Sequence, residues 1–190
     1  MKEQSILWRR VDTPGHESAC IYGDESGWYL DGSAVFVYDK KPCRLEYLIE
    51  CDVEWKTTFA TIDGWVGEDV VAYEIEVTED RKWTLNDNKI GAVEGCIDID
   101  LNFSPITNLL PLRRLDISIG ESKRVRAAWL RFPSFELEPL EQTYTVLDES
   151  MIRYESRNGE FVRELKVNED GLVLSYPDFW EVEAAIVANS

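Results

Sequence analysis

Acidic and amide side chains alternate with apolar ones in residues 96–103, and this pattern could support chemistry. Asp98, Asp100 and Asn102 would share one face of an extended strand, because side chains in a strand have a period of two. Two carboxylates and an amide on one face can hydrogen-bond the hydroxyl groups of a ligand. The same pattern suits a buried polar ladder that fixes strand register, and the sequence leaves both interpretations open.

A second alternating run, residues 114–119, follows a break that contains two prolines, and it predicts another strand. An ordered turn between the two strands would bring guanidinium groups near the carboxylates. Arg113 and Arg114 would point to opposite faces. We therefore expect Arg114, in step with Asp116, to meet the carboxylates in a bidentate, charge-assisted contact.

The polar pair Thr107 and Asn108 lies between the two prolines. Such side chains commonly satisfy the backbone of their own turn, and the Asn108 amide could instead donate to a ligand. Five further candidates lie beside a turn or proline, or on the faces of other predicted strands: Asp52, Trp55, Gln142, Tyr144 and Tyr176. Together these residues form a candidate binding set, and no residue is predicted to be catalytic.

Asp98 and Asp100 also permit an alternative function. Residues i and i+2 of a strand are about 6.5–7 Å apart, a separation that paired-carboxylate glycoside hydrolysis can use. A hydrolase acting on a sugar- or lipid-containing substrate is therefore the alternative to a binding protein. The sequence contains no GxSxG elbow and no phosphate-binding loop that would indicate another enzyme class.

Neither a metal site nor a cofactor is expected. The four cysteines lack CxxC spacing, and His16 is the only histidine of the chain. A zinc site built on histidine needs more ligands of that type. In a reducing compartment the cysteines are expected to be thiols and not disulfides.

The chain of 190 residues carries a formal net charge of -17. Such an acidic protein repels phosphate backbones, so nucleic acid is not an expected partner. The N-terminus has no leader-like apolar run, and no stretch approaches the ~20 apolar residues of a spanning helix. We expect a cytoplasmic protein with one domain over residues 1–190 and no transmembrane segment. The sequence does not indicate an oligomeric state.

The remaining pattern predicts an all-β, mainly antiparallel fold with little helix. About a dozen short apolar or alternating runs are separated by turn residues, with the spacing typical of β-sandwiches and barrels. Tight turns are predicted at residues 31–32 and 63–64, and Pro42 is expected to interrupt a strand. Only residues 181–188 have a helix-forming composition.

Aromatic residues are abundant, with seven Trp, eight Tyr and seven Phe. In an all-β domain such residues commonly fill the space between facing sheets. They can also line a cavity for an apolar or sugar-bearing ligand, in which a few polar groups fix the orientation. The abundance alone does not decide between the two roles.

Several segments carry a resemblance to a known family. They are GCIDIDLNFSPITNLLPLRRL (residues 95–115), EQTYTVL (141–147), GLVLSYPDFWEV (171–182), Asp52 and Trp55 of DVEW, and the N-terminal WRRVDTPGHES. With these segments the sequence resembles the putative glycolipid-binding family of bacterial proteins. The resemblance implies a spiral β-roll or half-open β-barrel, similar to bacterial carriers of lipoproteins and complex lipids. It also implies non-catalytic binding of an amphipathic ligand, a glycolipid, in an apolar cleft with a polar rim.

Overall fold

The computed structural model describes residues 4–187, and within them fifteen strands form one sheet. All neighbouring strands pair antiparallel except β9 and β10, which are parallel. The expected all-β, mainly antiparallel fold is therefore confirmed. In chain order the strands are β1 (Gln4–Arg10), β2 (Gly15–Gly23), β3 (Trp28–Tyr38), β4 (Lys41–Cys51), β5 (Thr57–Val66), β6 (Asp69–Val77), β7 (Trp83–Leu85), β8 (Asn88–Lys89), β9 (Asp98–Leu101), β10 (Ser122–Arg131), β11 (Glu136–Val146), β12 (Met151–Ser156), β13 (Phe161–Val167), β14 (Val173–Tyr176) and β15 (Trp180–Val187).

The sheet curls into a roll whose two edge strands are β8 and β9. In the roll, β9 approaches the start of β5. The N–H of Thr57 donates to the carbonyl of Ile97 at 3.2 Å, and the N–H of Ile99 donates to the Thr57 hydroxyl at 3.0 Å. These bonds do not extend into a ladder, so the barrel stays open. The expected half-open barrel is confirmed.

Residues 104–114 turn into the roll after β9. A 3₁₀ turn (Ile106–Asn108) leads directly into the α-helix α1 (Leu109–Arg114), and Leu109 and Leu110 are buried in the main core. Ile106, Leu109 and Leu110 are spaced i, i+3 and i+4, so they lie on one face of a helix and bury it together. This segment therefore fills the interior of the roll.

The strand predicted over residues 114–119 is wrong. Helix α1 continues to Arg114, and residues 115–119 lie in an irregular segment. Pro111 is compatible with the helix because it lies in the first turn, where a backbone N–H has no intrahelical partner. Polar and apolar residues do alternate over residues 114–119, but this segment does not pair with a strand.

Two predicted turns are also wrong, because their glycines permit close approach inside strands. Residues 31–32 continue through β3, where a Cβ on Gly32 would lie 2.2 Å from the hydroxyl of Tyr47. Residues 63–64 continue through β5, where Gly64 has φ of +142° and a Cβ would lie 2.0 Å from the carbonyl oxygen of Arg44. A larger residue would collide with the neighbouring strand at both positions.

The expected interruption at Pro42 is wrong, and the helix-forming composition of residues 181–188 does not lead to a helix. Pro42 lies inside β4, opposite Val37, and its missing N–H is tolerated near the start of the strand. The segment with a helix-forming composition forms β15, which pairs with β1 and β14 on its two sides. Pairing on both sides outweighs the weak local propensity. Residue 188 lies outside the described residues.

Candidate functional site

A cleft of about 340 Å³ opens between the β10–β11 hairpin and strands β12 to β15. We call it the first cleft. Six aromatic side chains form much of its wall: Trp129, Phe132, Phe161, Tyr176, Phe179 and Trp180. The polar groups that line it include Arg10, Asp100, Asn102, Ser104, Asn108 and Arg157. Aromatic walls with a few convergent polar groups are typical of small-molecule sites.

Asp100 is the acidic group of this cleft. One carboxylate oxygen, Oδ2, accepts from the amide nitrogen of Gln142 at 2.6 Å, and that nitrogen also donates to the Tyr154 hydroxyl at 3.0 Å. Burial raises the pKa of Asp100 to about 6, although the hydrogen bond from Gln142 acts in the opposite direction. Among the described residues, no guanidinium or ammonium group pairs with this carboxylate, and Asp100 lines the cleft while staying partly exposed.

Asn102 and Asn108 present amides at two depths of the same cleft. The carbonyl oxygen of exposed Asn102 accepts from the N–H of Phe132 at 3.1 Å, which leaves its amide nitrogen for a ligand. Buried Asn108 donates to the carbonyl of Pro105 at 3.1 Å and accepts from the Tyr144 hydroxyl at 3.2 Å. Asn108 is therefore held in place, and Tyr144 lies behind it.

A second carboxyl group, Glu17, is completely buried beneath Ser104. Its Oε1 accepts hydrogen bonds from the hydroxyl groups of Tyr47, at 2.6 Å, and Ser104, while Ser104 itself accepts from the N–H of Ile106 at 3.1 Å. Burial raises the pKa of Glu17 to about 7, against the lowering effects of the two hydroxyls and of Arg10. Its other oxygen, Oε2, has no hydrogen-bond partner within the described part of the chain.

Asp98 has different surroundings from Asp100, although both lie on β9. The Arg114 guanidinium donates to both of its oxygens, from Nε at 3.1 Å and from Nη2 at 2.5 Å. Burial raises the pKa of Asp98, while Arg114 acts to lower it. The expected contact of Arg114 with a carboxylate is present, but Asp98 does not line the first cleft.

Comparison with known proteins places this chain in a family. The family described as "Putative glycolipid-binding" matches residues 5–182. The chain belongs to this family. The resemblance in the sequence is thereby confirmed.

Solved structures similar to this family member support the fold. A DUF1089 family protein from Pseudomonas aeruginosa is 27% identical, with a TM-score of 0.77, and the similarity covers 87% of this chain and 91% of that protein. The similarity to a beta-barrel-like protein of the domain of unknown function DUF1849 from Brucella abortus covers 99% of this chain and 98% of that protein, with a TM-score of 0.58. At 9% identity it supports the fold alone. No curated protein sequence matches the chain.

The other predicted site residues of this family member are placed in different ways. Tyr176 lines the first cleft, and Gln142 lies behind Asp100. Thr107 is buried, and its hydroxyl accepts from the N–H of Leu101 at 3.2 Å, so it satisfies the edge of β9. The structure does not bring the remaining three to the cleft: Asp52, Trp55 and Arg113.

Those three residues form a separate group. Asp52 accepts from two backbone N–H groups of its own turn, at 2.9 Å each. Trp55 stacks on Trp28 with 4.3 Å between ring centroids, and the Arg113 guanidinium lies 5.3 Å from the Trp55 ring. Arg113 also donates to Asp170 at 3.3 Å. These contacts stabilise the roll at a distance from the first cleft.

The sequence analysis missed most of the cleft lining, including its aromatic wall apart from Tyr176. It also missed four polar residues in or beneath the cleft: Arg10, Glu17, Tyr47 and Ser104. A signal existed for Glu17, because it alternates in phase with the buried residues Ala19 and Ile21 of β2. An acidic residue on an inward face requires a partner, and that requirement could have identified it. Arg10 and Ser104 gave no comparable signal.

Two structural findings bear on metals and membranes. No group of three or more His, Cys, Asp or Glu side chains is arranged to hold a metal ion within residues 4–187. In the same residues, no helix has both the length and the apolar character needed to cross a membrane. The cytoplasmic location and the single domain stay predictions.

Proposed function

We propose that the protein binds an amphipathic ligand, a glycolipid, and holds its sugar headgroup in the first cleft without catalysing a reaction. The observation that carries this proposal is the partly buried Asp100 carboxylate, which faces a recess with aromatic walls and lacks a cationic partner. Membership of the putative glycolipid-binding family supports the ligand class.

The aromatic walls suit a sugar ring. The rings of Tyr176 and Phe179 line the cleft, and the C–H groups of a sugar can pack against aromatic rings of this kind. Trp180, which is nearly buried beside the Arg10 guanidinium, completes the wall. The ring contacts between Phe161, Tyr176 and Phe179, with centroids 5.4 to 6.4 Å apart, hold these faces in position. A preformed wall lowers the entropic cost of binding.

The polar groups suit sugar hydroxyls. Asp100 can accept a hydrogen bond from one hydroxyl, and the Asn102 amide nitrogen can donate to another. The Gln142 nitrogen already donates to Asp100 and to Tyr154, so it fixes the carboxylate and is not itself a ligand contact. A carboxylate fixed in this way is preorganised to accept from a ligand.

The hydrolase alternative has less support from the geometry. It requires two carboxyl groups on opposite sides of a bound sugar. Of the proposed pair, only Asp100 lines the cleft, because both oxygens of Asp98 are bound by Arg114. Binding is therefore the function that the site supports best.

Titration calorimetry with octyl β-glucoside below its critical micelle concentration tests the proposal. Wild-type protein should bind, and Asp100→Asn should weaken binding by at least about tenfold, as expected for a hydrogen bond to a charged group. Asp87→Asn is the matched control, because Asp87 is exposed and distant from the cleft lining.

Native mass spectrometry supplies an independent measurement. Protein purified from its own cells should carry a glycolipid whose mass is lost on Asp100→Asn substitution and kept on Asp87→Asn. The absence of bound lipid, together with no calorimetric binding across neutral glycosides, would contradict the proposed function.

A further inference from the structure

The first cleft is too small for a whole glycolipid. Its volume of about 340 Å³ lies at the lower end of the range for small-molecule sites, roughly 300–1,000 Å³. Such a recess can hold a sugar headgroup, but not the headgroup together with a long alkyl chain. If the proposed function is correct, the chain needs a surface elsewhere.

A second cleft of about 330 Å³ lies on the other side of the β10–β11 turn. Six residues give it an apolar character: Tyr38, Val66, Val70, Val71, Tyr73 and Phe135. Val70 is 84% exposed and Tyr38 is 40% exposed, so this apolar surface is open to solvent. The charged residues among its lining, Asp39, Lys41 and Asp69, are all exposed.

The turn of residues 132–135 separates the two clefts and joins their walls. Phe132 lines the first cleft, and Phe135 lines the second. The Phe132 ring contacts Tyr38 at 4.8 Å and Phe135 at 5.8 Å between centroids. Phe135 in turn stacks on Tyr73 at 5.0 Å. Ring contacts therefore connect the wall of the first cleft with the wall of the second.

The polar groups of the two clefts differ in type and in exposure. The first cleft has a carboxylate and two amides within its lining, from Asp100, Asn102 and Asn108. The second has no acidic or amide side chain among the buried or half-buried residues of its lining. Apolar surface of this kind gains free energy when an alkyl chain covers it.

We propose that the second cleft binds the alkyl chain of the amphipathic ligand whose headgroup occupies the first cleft, and that the chain crosses between them over Phe132. This inference rests on the proposed function and adds a second subsite to it. The ligand class is then a glycoside with one flexible hydrocarbon chain that reaches past the β10–β11 turn.

A series of alkyl β-glucosides, from methyl to decyl, tests the inference by titration calorimetry below micelle formation. Once the chain passes Phe132, affinity should rise by up to about fourfold for each added methylene that becomes buried. Asp100→Asn should reduce the affinity of every member of the series by the same factor, because it acts on the headgroup alone.

Two substitutions should fill the second cleft from opposite sides, Val70→Trp and Ser134→Trp. Both positions line that cleft at exposed sites, so folding should be preserved. The filled variants should keep the affinity for methyl and hexyl glucoside and lose the gain for octyl and decyl glucoside. Val53→Trp is the matched control, because Val53 is 62% exposed and lines neither cleft.

The outcomes separate the two proposals. If wild type and both filled variants show the same dependence on chain length, the chain does not lie in the second cleft and the inference is wrong, while headgroup binding stands. If wild-type affinity does not increase with chain length at all, the inference is equally wrong. If no glucoside binds, both the proposed function and the inference fail.

Discussion

Asp98 and Asp100 lie two positions apart on the same face of β9, yet their carboxylates are stabilised in different ways. Asp98 is 1% exposed and meets the Arg114 guanidinium through both oxygens. Asp100 receives a hydrogen bond from the neutral Gln142 amide and faces the first cleft. A carboxylate with a cationic partner supports the fold, whereas one without such a partner keeps its capacity for a ligand.

Glu17 is a third carboxyl group, and its surroundings combine features of those of Asp98 and Asp100. It is as buried as Asp98, but two hydroxyl groups and no guanidinium stabilise it. Arg10 is close enough to lower the pKa of Glu17, yet its guanidinium forms a bidentate contact with Asp12. Three carboxyl groups in one roll thus differ in the charge of their partners, and this difference can be tested.

The largest effect is expected for Arg114→Met. This change removes the cation that is hydrogen-bonded to buried Asp98 and leaves only the weaker electrostatic effect of Arg81. Breaking a buried pair in this way typically costs about 3–5 kcal/mol. Denaturant unfolding at pH 7 should show this loss in the free energy of unfolding. The double variant with Asp98→Asn should recover part of it, because the uncompensated charge is gone. Equal losses in the single and double variants would contradict the structural role of the pair.

Glu17→Gln should change how stability depends on pH. The folded pKa of Glu17, about 7, lies above its ordinary value of 4.5, so the folded state binds the proton more tightly. The free energy of unfolding of the wild type should therefore fall as pH rises from about 4.5 to 7, by up to roughly 3 kcal/mol from this group. Glu17→Gln should match the wild type at about pH 4, below the unfolded pKa of 4.5, and exceed it at pH 8.

The control for this measurement is Tyr47→Phe, which keeps the titrating group and removes one donor to it. Its stability should be lower than that of the wild type at pH 8, because the ionised carboxylate loses a hydrogen bond. Parallel pH curves for wild type and Glu17→Gln would show that Glu17 does not titrate in this range.

Part of this arrangement could be predicted from sequence, and the rest depends on packing between distant segments. The period of two correctly indicated that Asp98 and Asp100 share a face, because it is a local property of β9. The contact of Arg114 with a carboxylate was also expected, but through a hairpin. The structure reaches it through α1, because residues 106–110 have buried positions at helical spacing.

Sequence could not show which carboxylate would face a ligand. Gln142 is 42 positions from Asp100, and their contact depends on how β9, β10 and β11 lie in the sheet. The wrong turn at residues 31–32 has a similar cause. Gly32 resembles a turn residue locally, but the constraint on it is the Tyr47 side chain of the neighbouring strand. Local patterns predicted the strands well and their distant neighbours poorly.

Asp100→Asn should weaken ligand binding without weakening the fold. Asn can still accept from Gln142, and because burial raises the pKa of Asp100 to about 6, the free energy of unfolding at pH 7 should be equal to or above that of the wild type. Affinity for octyl glucoside should fall by at least about tenfold at pH 7. Because the pKa of Asp100 is about 6, wild-type affinity should also fall as pH decreases below 6 and the carboxylate is protonated. The Asp100→Asn variant should lack this dependence; a variant that keeps it would show that another group controls binding.

The smallest effects are expected from Thr57→Val and Thr107→Val, which test the two ends of β9 separately. Each hydroxyl accepts from a backbone N–H at the open edge, Thr57 from Ile99 and Thr107 from Leu101. Losing either acceptor leaves a buried N–H unpaired, at a cost of about 1–3 kcal/mol measured by denaturant unfolding. Leu101 lines the first cleft and Ile99 does not. Thr107→Val should therefore also weaken glucoside binding, whereas Thr57→Val should leave it unchanged. Equal effects on binding would mean that β9 moves as one unit. The surroundings of Asp98 and Asp100 would then not be independent of each other.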